Sequence, residues 1–151
     1  MPQAARKSGL LMYLIAFPML LIPFAIYNMI AFLLDFDFHQ IVFSVPLLSG
    51  HRMNVSTGDV LVLLGVLLLY GEILKSTRFS SKAIMDHVLS IILFIAMIVE
   101  FIVAEKAATS TFLILTALSF VDVVGGFTIT IRTAQRDVTF EGPEGRMAGG
   151  A

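Results

Sequence analysis

Residues 10–34 read LLMYLIAFPMLLIPFAIYNMIAFLL, a run of 25 residues without a charged side chain. At about 1.5 Å of rise per residue, a helix of this length exceeds the roughly 30 Å hydrocarbon core of a bilayer. The run is longer than the apolar region of a secretory signal, and no small-residue cleavage pattern closes it. We therefore predict a retained membrane-spanning helix over 10–34, kinked near Pro18 and Pro23.

Three further apolar segments each reach spanning length only if they include an acidic residue, namely Glu72, Glu100 and Asp122. With these included, the segments predict helices over 57–76, 83–105 and 109–132. The predicted fold class is therefore all-α, a four-helix transmembrane bundle in a single domain over 1–136. The glycine-containing residues 137–151 are predicted to form a disordered cytoplasmic tail.

The composition also favours a membrane location. Apolar residues make up 58% of the 151-residue chain and charged residues only 14%, against about 45–50% and about 25% in soluble domains. A soluble bundle is the competing interpretation, but its helices would carry a charged face, whereas these charges lie at segment ends. The chain lacks cysteine, which excludes disulfides and thiolate sites, and its net charge of −1 predicts no nucleic-acid partner.

The basic residues predict the orientation of the helices. Only Arg52 and Lys106 lie in the connections after the first and third helices. The other eight lie before the first helix, between the second and third, or after the fourth; they are Arg6, Lys7, Lys75, Arg78, Lys82, Arg132, Arg136 and Arg146. Because cytoplasmic segments carry the excess of Lys and Arg, both termini are predicted to be cytoplasmic.

The outer connection over 35–58 has an apolar part that is too short to span the membrane. An ordinary loop capping the bundle is the favoured interpretation. An interfacial or re-entrant segment is the alternative. Two acidic residues, Asp59 and Glu100, are predicted near the outer ends of their helices.

Three of the predicted helices carry a face of polar or small residues. Steps of three, four or seven residues define these faces. They comprise Gly58, Gly65 and Glu72 on the second helix; Asp86, Ser90, Leu93, Met97 and Glu100 on the third; and Thr116, Ser119, Asp122, Gly126 and Thr130 on the fourth. We expect the faces to meet, with Gly65, Ser90, Ser119 and Gly126 at the helix contacts.

This packing would enclose an intramembrane polar cluster of Glu72, Lys75, Asp86, His87 and Asp122. Buried carboxylates are costly unless they are paired, hydrated or protonated. The cluster can be a clamp that fixes helix register, which we favour, or a relay for protons or ions. A metal site is considered and not predicted, because the chain lacks a metal-binding spacing. No cofactor, catalytic residue or enzymatic activity is predicted.

Several short motifs together resemble those of small four-helix inner-membrane proteins of proteobacteria. They are TGD at 57–59, GEILK at 71–75, DHVLS at 86–90, EF at 100–101, VDVVGG at 121–126 and RD at 136–137. The resemblance covers about 57–137, with a weaker likeness in the first helix. It implies four helices in a bacterial inner membrane, and it implies no activity and no assigned site.

The sequence thus predicts a non-enzymatic accessory or scaffold component of a membrane complex. Its expected partners are the lipid bilayer and either another membrane protein or further copies of itself. The alternative is a small oligomeric transporter or proton-conducting protein that uses the intramembrane carboxylates.

Overall fold

The computed structural model describes residues 17–76 and 81–140; within the second range it describes side chains over 85–129 and at Ile131. Several predictions concern residues outside this part of the chain. They are the helical start over 10–16, the positions of Arg6, Lys7, Arg78 and Arg146, and the disordered tail over 141–151.

The described residues form four helices and a two-stranded antiparallel sheet. The elements are α1 (Leu21–Asn28), continued by a π-helix (Met29–Leu34); β1 (Ile41–Pro46); β2 (Arg52–Ser56); α2 (Thr57–Ser76); α3 (Ser81–Val103); a 3₁₀ turn (Glu105–Ala107); and α4 (Ser110–Phe140). The bounds of α2 coincide with the predicted 57–76, and α3 lies two residues earlier than predicted. Helix α4 continues to Phe140, beyond the predicted end at 132 and into residues 137–140 of the predicted tail.

Within the described residues, the first predicted helix is helical only from Leu21 onward. Residues 17–20 form a bend and a turn, and α1 begins only at Leu21. Pro23 lies in the first turn of α1, where a missing N–H removes no intrahelical hydrogen bond. The helix ends at Asp35, which adopts the left-handed conformation at φ 48°.

The outer connection is a β-hairpin, which the all-α prediction missed. Strand β1 pairs with β2 through Phe43 and Val55 and through Val45 and Met53, with a bulge between Ile41 and Phe43. A turn closed by the Gly50 N–H and the Leu47 carbonyl joins the strands. Gly50 has φ +83°, a conformation that glycine adopts without steric cost.

Helix α4 packs against α2 and α3, and α1 packs against α2 and α4. The core is richest in aromatic side chains near the hairpin, where the Tyr27 ring stacks on Phe38 at 4.4 Å and lies 4.7 Å from Phe112. Close approach of α2 and α4 depends on Gly65, since a Cβ there would lie 2.9 Å from Leu115 Cδ2.

Three described helices are long and apolar enough to cross a membrane: Thr57–Ser76, Met85–Val103 and Ser110–Ile129. Leu21–Leu34 is apolar but shorter. At most a third of the residues in each of the three spans are buried inside the protein. Large apolar side chains therefore cover the outer surface of these helices. Such a surface suits contact with lipid and is unfavourable in water.

Candidate functional site

Two backbone groups in the bend and turn before α1 form hydrogen bonds with charged side chains of α2. The Met19 N–H donates to Glu72 Oε2 at 3.0 Å, and the Phe17 carbonyl accepts from Lys75 Nζ at 3.0 Å. Proline breaks are tolerated in membrane helices when neighbouring groups satisfy the freed backbone. Glu72 and Lys75 therefore act as side-chain caps for the chain around Pro18.

Lys75 also joins α2 to α3. Its Nζ lies 3.0 Å from Glu72 Oε1 and 2.8 Å from Asp86 Oδ2. An ammonium group has three protons to donate, and here it meets the Phe17 carbonyl and two carboxylates. Glu72 is 4% exposed and Asp86 9%. One nearly buried cation thus links three separate segments of the chain.

Asp122 of α4 lies beside this group across a small polar cavity. The cavity has a volume of about 30 Å³ and is lined by Glu72, Ser76, Asp86, His87, Ser90, Asp122 and Gly126. The Ser90 hydroxyl and the Asp122 carboxylate are both buried beside this cavity. A cavity of this size holds about one or two waters, so it can hydrate a carboxylate but is too small for an organic solute.

His87 packs against α4 without an observed hydrogen bond at Nε2. Its ring meets Phe127 edge-on at 4.3 Å, and a Cβ on Gly126 would lie 2.5 Å from its Nδ1. Nε2 is buried and has no partner among the described residues. His87 and Asp122 line the same cavity.

The half of the bundle nearer the hairpin contains a second polar group. Asn28 Nδ2 donates to Glu100 Oε2 at 3.3 Å, which links α1 to α3. The Tyr27 hydroxyl lies 2.8 Å from the Lys106 carbonyl and 2.7 Å from Thr109 Oγ1. Tyr27 is fully buried, so this hydroxyl ties α1 to the connection between α3 and α4.

Asp59 and Asp35, at the hairpin end of the bundle, have local roles. Asp59 accepts from the backbone N–H and the hydroxyl of Ser56, and Ser56 Oγ accepts from the Asp59 N–H. This reciprocal pair is a capping box at the start of α2. A hydrogen bond and positive charge from Lys106 lower the pKa of exposed Asp35. The stability that this ion pair contributes to the fold is lost as pH falls through the lowered pKa of Asp35. The contribution is small because Asp35 is exposed to solvent.

The structure brings together all five residues of the predicted polar cluster, and it places the helix-packing residues at inward positions. Ser90 and Ser119 are buried, and Gly65 and Gly126 lie in close helix contacts. Asp59 and Glu100 lie apart from the cluster. Sequence reasoning missed Tyr27 and the backbone groups of Phe17 and Met19. Pro18 was the available signal for the latter two.

The residues that the structure describes contain no group of three or more His, Asp or Glu side chains that could hold a metal ion. Comparisons with protein-family models, with curated proteins and with solved structures find no match.

Proposed function

We propose that this protein is a four-helix integral protein of a bacterial inner membrane, with both termini in the cytoplasm. It acts as a non-enzymatic accessory or scaffold component of a membrane complex. The hydropathy of three described helices supports the membrane location. The fourth span would combine Leu21–Leu34 with the apolar residues before it. The distribution of Lys and Arg supports the orientation.

One observation carries the structural role. The Lys75 ammonium donates to Phe17, Glu72 and Asp86, so its hydrogen-bonding capacity is used inside the protein. A charge held in this way fixes three segments relative to one another. Breaking a buried ion pair costs about 3–5 kcal/mol, enough to set helix register in a small bundle.

A proton-conducting role is the alternative, and the small cavity favours it. Asp122, His87, Asp86 and Glu72 all line that cavity, and a water there would place the titratable groups in one network. Intramembrane carboxylates are common in proton pathways. An oligomer would be needed to give such a small bundle a continuous path.

Proton flux into proteoliposomes separates the two roles. Purified protein is reconstituted with a pH-sensitive dye inside, and a potassium gradient with valinomycin supplies the driving force. A clamp gives flux at the level of protein-free vesicles for the wild-type chain and for Glu72→Gln and Asp122→Asn. Flux above that level in the wild type, lost in either folded variant, would establish the relay and overturn the structural role.

A further inference from the structure

The β-hairpin over 41–56 has one polar face and one apolar face. Cross-strand neighbours share a face of a sheet, so Ser44 and Asn54 lie together, as do Val45 and Met53. Ser44 Oγ donates to Asn54 Oδ1 at 2.7 Å on the polar face. The apolar face is exposed at Phe43, Val45 and Met53, whereas Val55 opposite Phe43 is buried.

The tip of the hairpin is also apolar. Leu47 lies in the turn, and Leu48 beside it is fully exposed. Between residues 41 and 58 the chain has no acidic residue, and it carries Arg52 and His51 just after the tip. An apolar tip with an adjacent cation is complementary to the acyl–headgroup boundary of a bilayer, where apolar side chains meet phosphate groups.

The backbone of the hairpin restricts the depth at which it can lie. Each strand of a two-stranded sheet has one unpaired edge, and unpaired N–H and C=O groups are excluded from the hydrocarbon region. Bulk water would satisfy these edges, but it disfavours a contiguous apolar face. The headgroup region supplies both hydrogen-bonding groups and apolar contact.

The hairpin also continues the lipid-facing surface of the helices. The π-helix before it exposes Phe32, Leu33 and Leu34, and exposed Phe36 follows in the connection. At its other end, the Thr57 N–H donates to the Gln40 carbonyl at 2.9 Å, so the hairpin base is fixed to the start of α2. The apolar exterior therefore extends from the outer helix ends to the hairpin.

We propose that the hairpin over 41–56 lies in the outer leaflet interface, with its apolar face and Leu48 among the upper acyl chains and Arg52 at the phosphates. This inference rests on the proposed membrane location. It assigns to the outer connection a lipid-binding role, rather than the role of a loop over the bundle. It also excludes a re-entrant path through the hydrocarbon core.

Site-directed fluorescence tests this placement, and the absence of native cysteine makes single labels straightforward. Leu48→Cys reports the tip, Met53→Cys the apolar face and Ser44→Cys the polar face. Leu67→Cys, at an exposed position midway along α2, is the control for membrane insertion. Each variant carries an environment-sensitive fluorophore in vesicles of phosphatidylethanolamine and phosphatidylglycerol, with iodide on both sides or nitroxide-labelled lipid as the quencher.

The labels at Leu48 and Met53 should be quenched several-fold more by nitroxide at headgroup depth than the label at Ser44, and less by iodide. Equal iodide access at all three hairpin sites, with the Leu67 label quenched by lipid, would overturn the interfacial placement of the hairpin and leave the membrane location intact. Stronger quenching of the Leu48 label by midplane nitroxide would mean re-entry. Protection of the hairpin labels from both quenchers would mean that protein, rather than lipid, covers this face. Either result contradicts the interfacial placement. Failure of lipid to quench the Leu67 label would instead overturn the membrane location.

Discussion

At the scale of single residues, Lys75 has as many acceptor groups around it as it has protons to donate. Two are the carboxylates of Glu72 and Asp86, and the third is the carbonyl of Phe17. The charge is therefore compensated and its hydrogen-bonding capacity satisfied, which are the conditions for stable burial. A buried carboxylate near Pro18 without such a cation would have neither charge compensation nor satisfied hydrogen bonds.

Tyr27 gives a residue-scale prediction at the other end of the bundle. Tyr27→Phe keeps the stacking on Phe38 but removes the hydroxyl contacts with Lys106 and Thr109, so it should lower the free energy of unfolding by about 1 kcal/mol. Thermal unfolding in mild detergent measures the loss. Tyr70→Phe is the matched control, because Tyr70 is 63% exposed and its substitution should have little effect.

If the two phenylalanine variants unfold at the same temperature, the Tyr27 hydroxyl does not stabilise the outer connection. The aromatic packing around Phe112 would then hold that end of the bundle without it.

At the scale of elements, the sequence predicted α2 well because local and global signals agree there. The capping box of Ser56 and Asp59 starts the helix, and a long apolar run follows. Pro18 and Pro23 could not be interpreted in the same way. Whether a proline pair kinks or interrupts a helix depends on which distant groups satisfy the freed backbone, and those groups lie on α2.

The hairpin had a local signal that an apolar-length criterion overlooks. Phe43 and Val45 alternate with Ser44 and Pro46, and Ser49-Gly50 follows at the turn. Alternation of this kind is typical of a half-buried strand. The inward faces of α2, α3 and α4 were predictable from helical periodicity. The hydrogen bonds from α2 side chains to the backbone of Phe17 and Met19 were not predictable, because they join segments more than 50 residues apart.

Two adjacent glycines in α4 provide an element-scale prediction. Gly126→Ala places a Cβ 2.5 Å from His87 Nδ1, whose ring is already held against Phe127. Overpacking of this kind costs about 1–3 kcal/mol, and helix propensity returns up to about 1 kcal/mol. We expect net destabilisation in thermal unfolding. Gly125→Ala meets nothing within 4 Å and should be neutral or stabilising.

Equal stability of these two alanine variants would contradict the close contact of α3 and α4 at His87. A lower stability of Gly125→Ala than of Gly126→Ala would reverse the assignment of the inward face.

At the scale of the whole molecule, the basic residues predict an orientation that single-site labelling can test. Cysteine placed at Ser44, on the polar face of the hairpin, should react with a membrane-impermeant maleimide in intact bacterial cells, whereas cysteine added at the C-terminus should react only after lysis. A reporter fused at Arg78 should likewise be cytoplasmic. Reaction of both cysteines in intact cells would contradict the three spans that the proposed topology places between them.

The charged group around Lys75 also belongs to this scale, because it connects the chain before α1 with α2 and α3. Removing the Lys75 cation alone leaves two buried carboxylates without a compensating charge, which lowers stability. If the Asp86 carboxylate has been removed first, the loss of stability on removing Lys75 is smaller. A structural clamp therefore predicts strong coupling between Lys75 and Asp86. Asp59, at the opposite end of α2, supplies the control, since distant sites are additive.

A double-mutant cycle of Lys75→Met and Asp86→Asn, measured by reversible unfolding in mild detergent, tests the clamp most directly. Lys75→Met alone should cost about 3 kcal/mol. In the Asp86→Asn background the cost should fall by at least about 1 kcal/mol, and in an Asp59→Asn background it should not change. Equal costs in all three backgrounds would show that Lys75 and Asp86 do not interact, and would contradict a clamp joining α2 and α3.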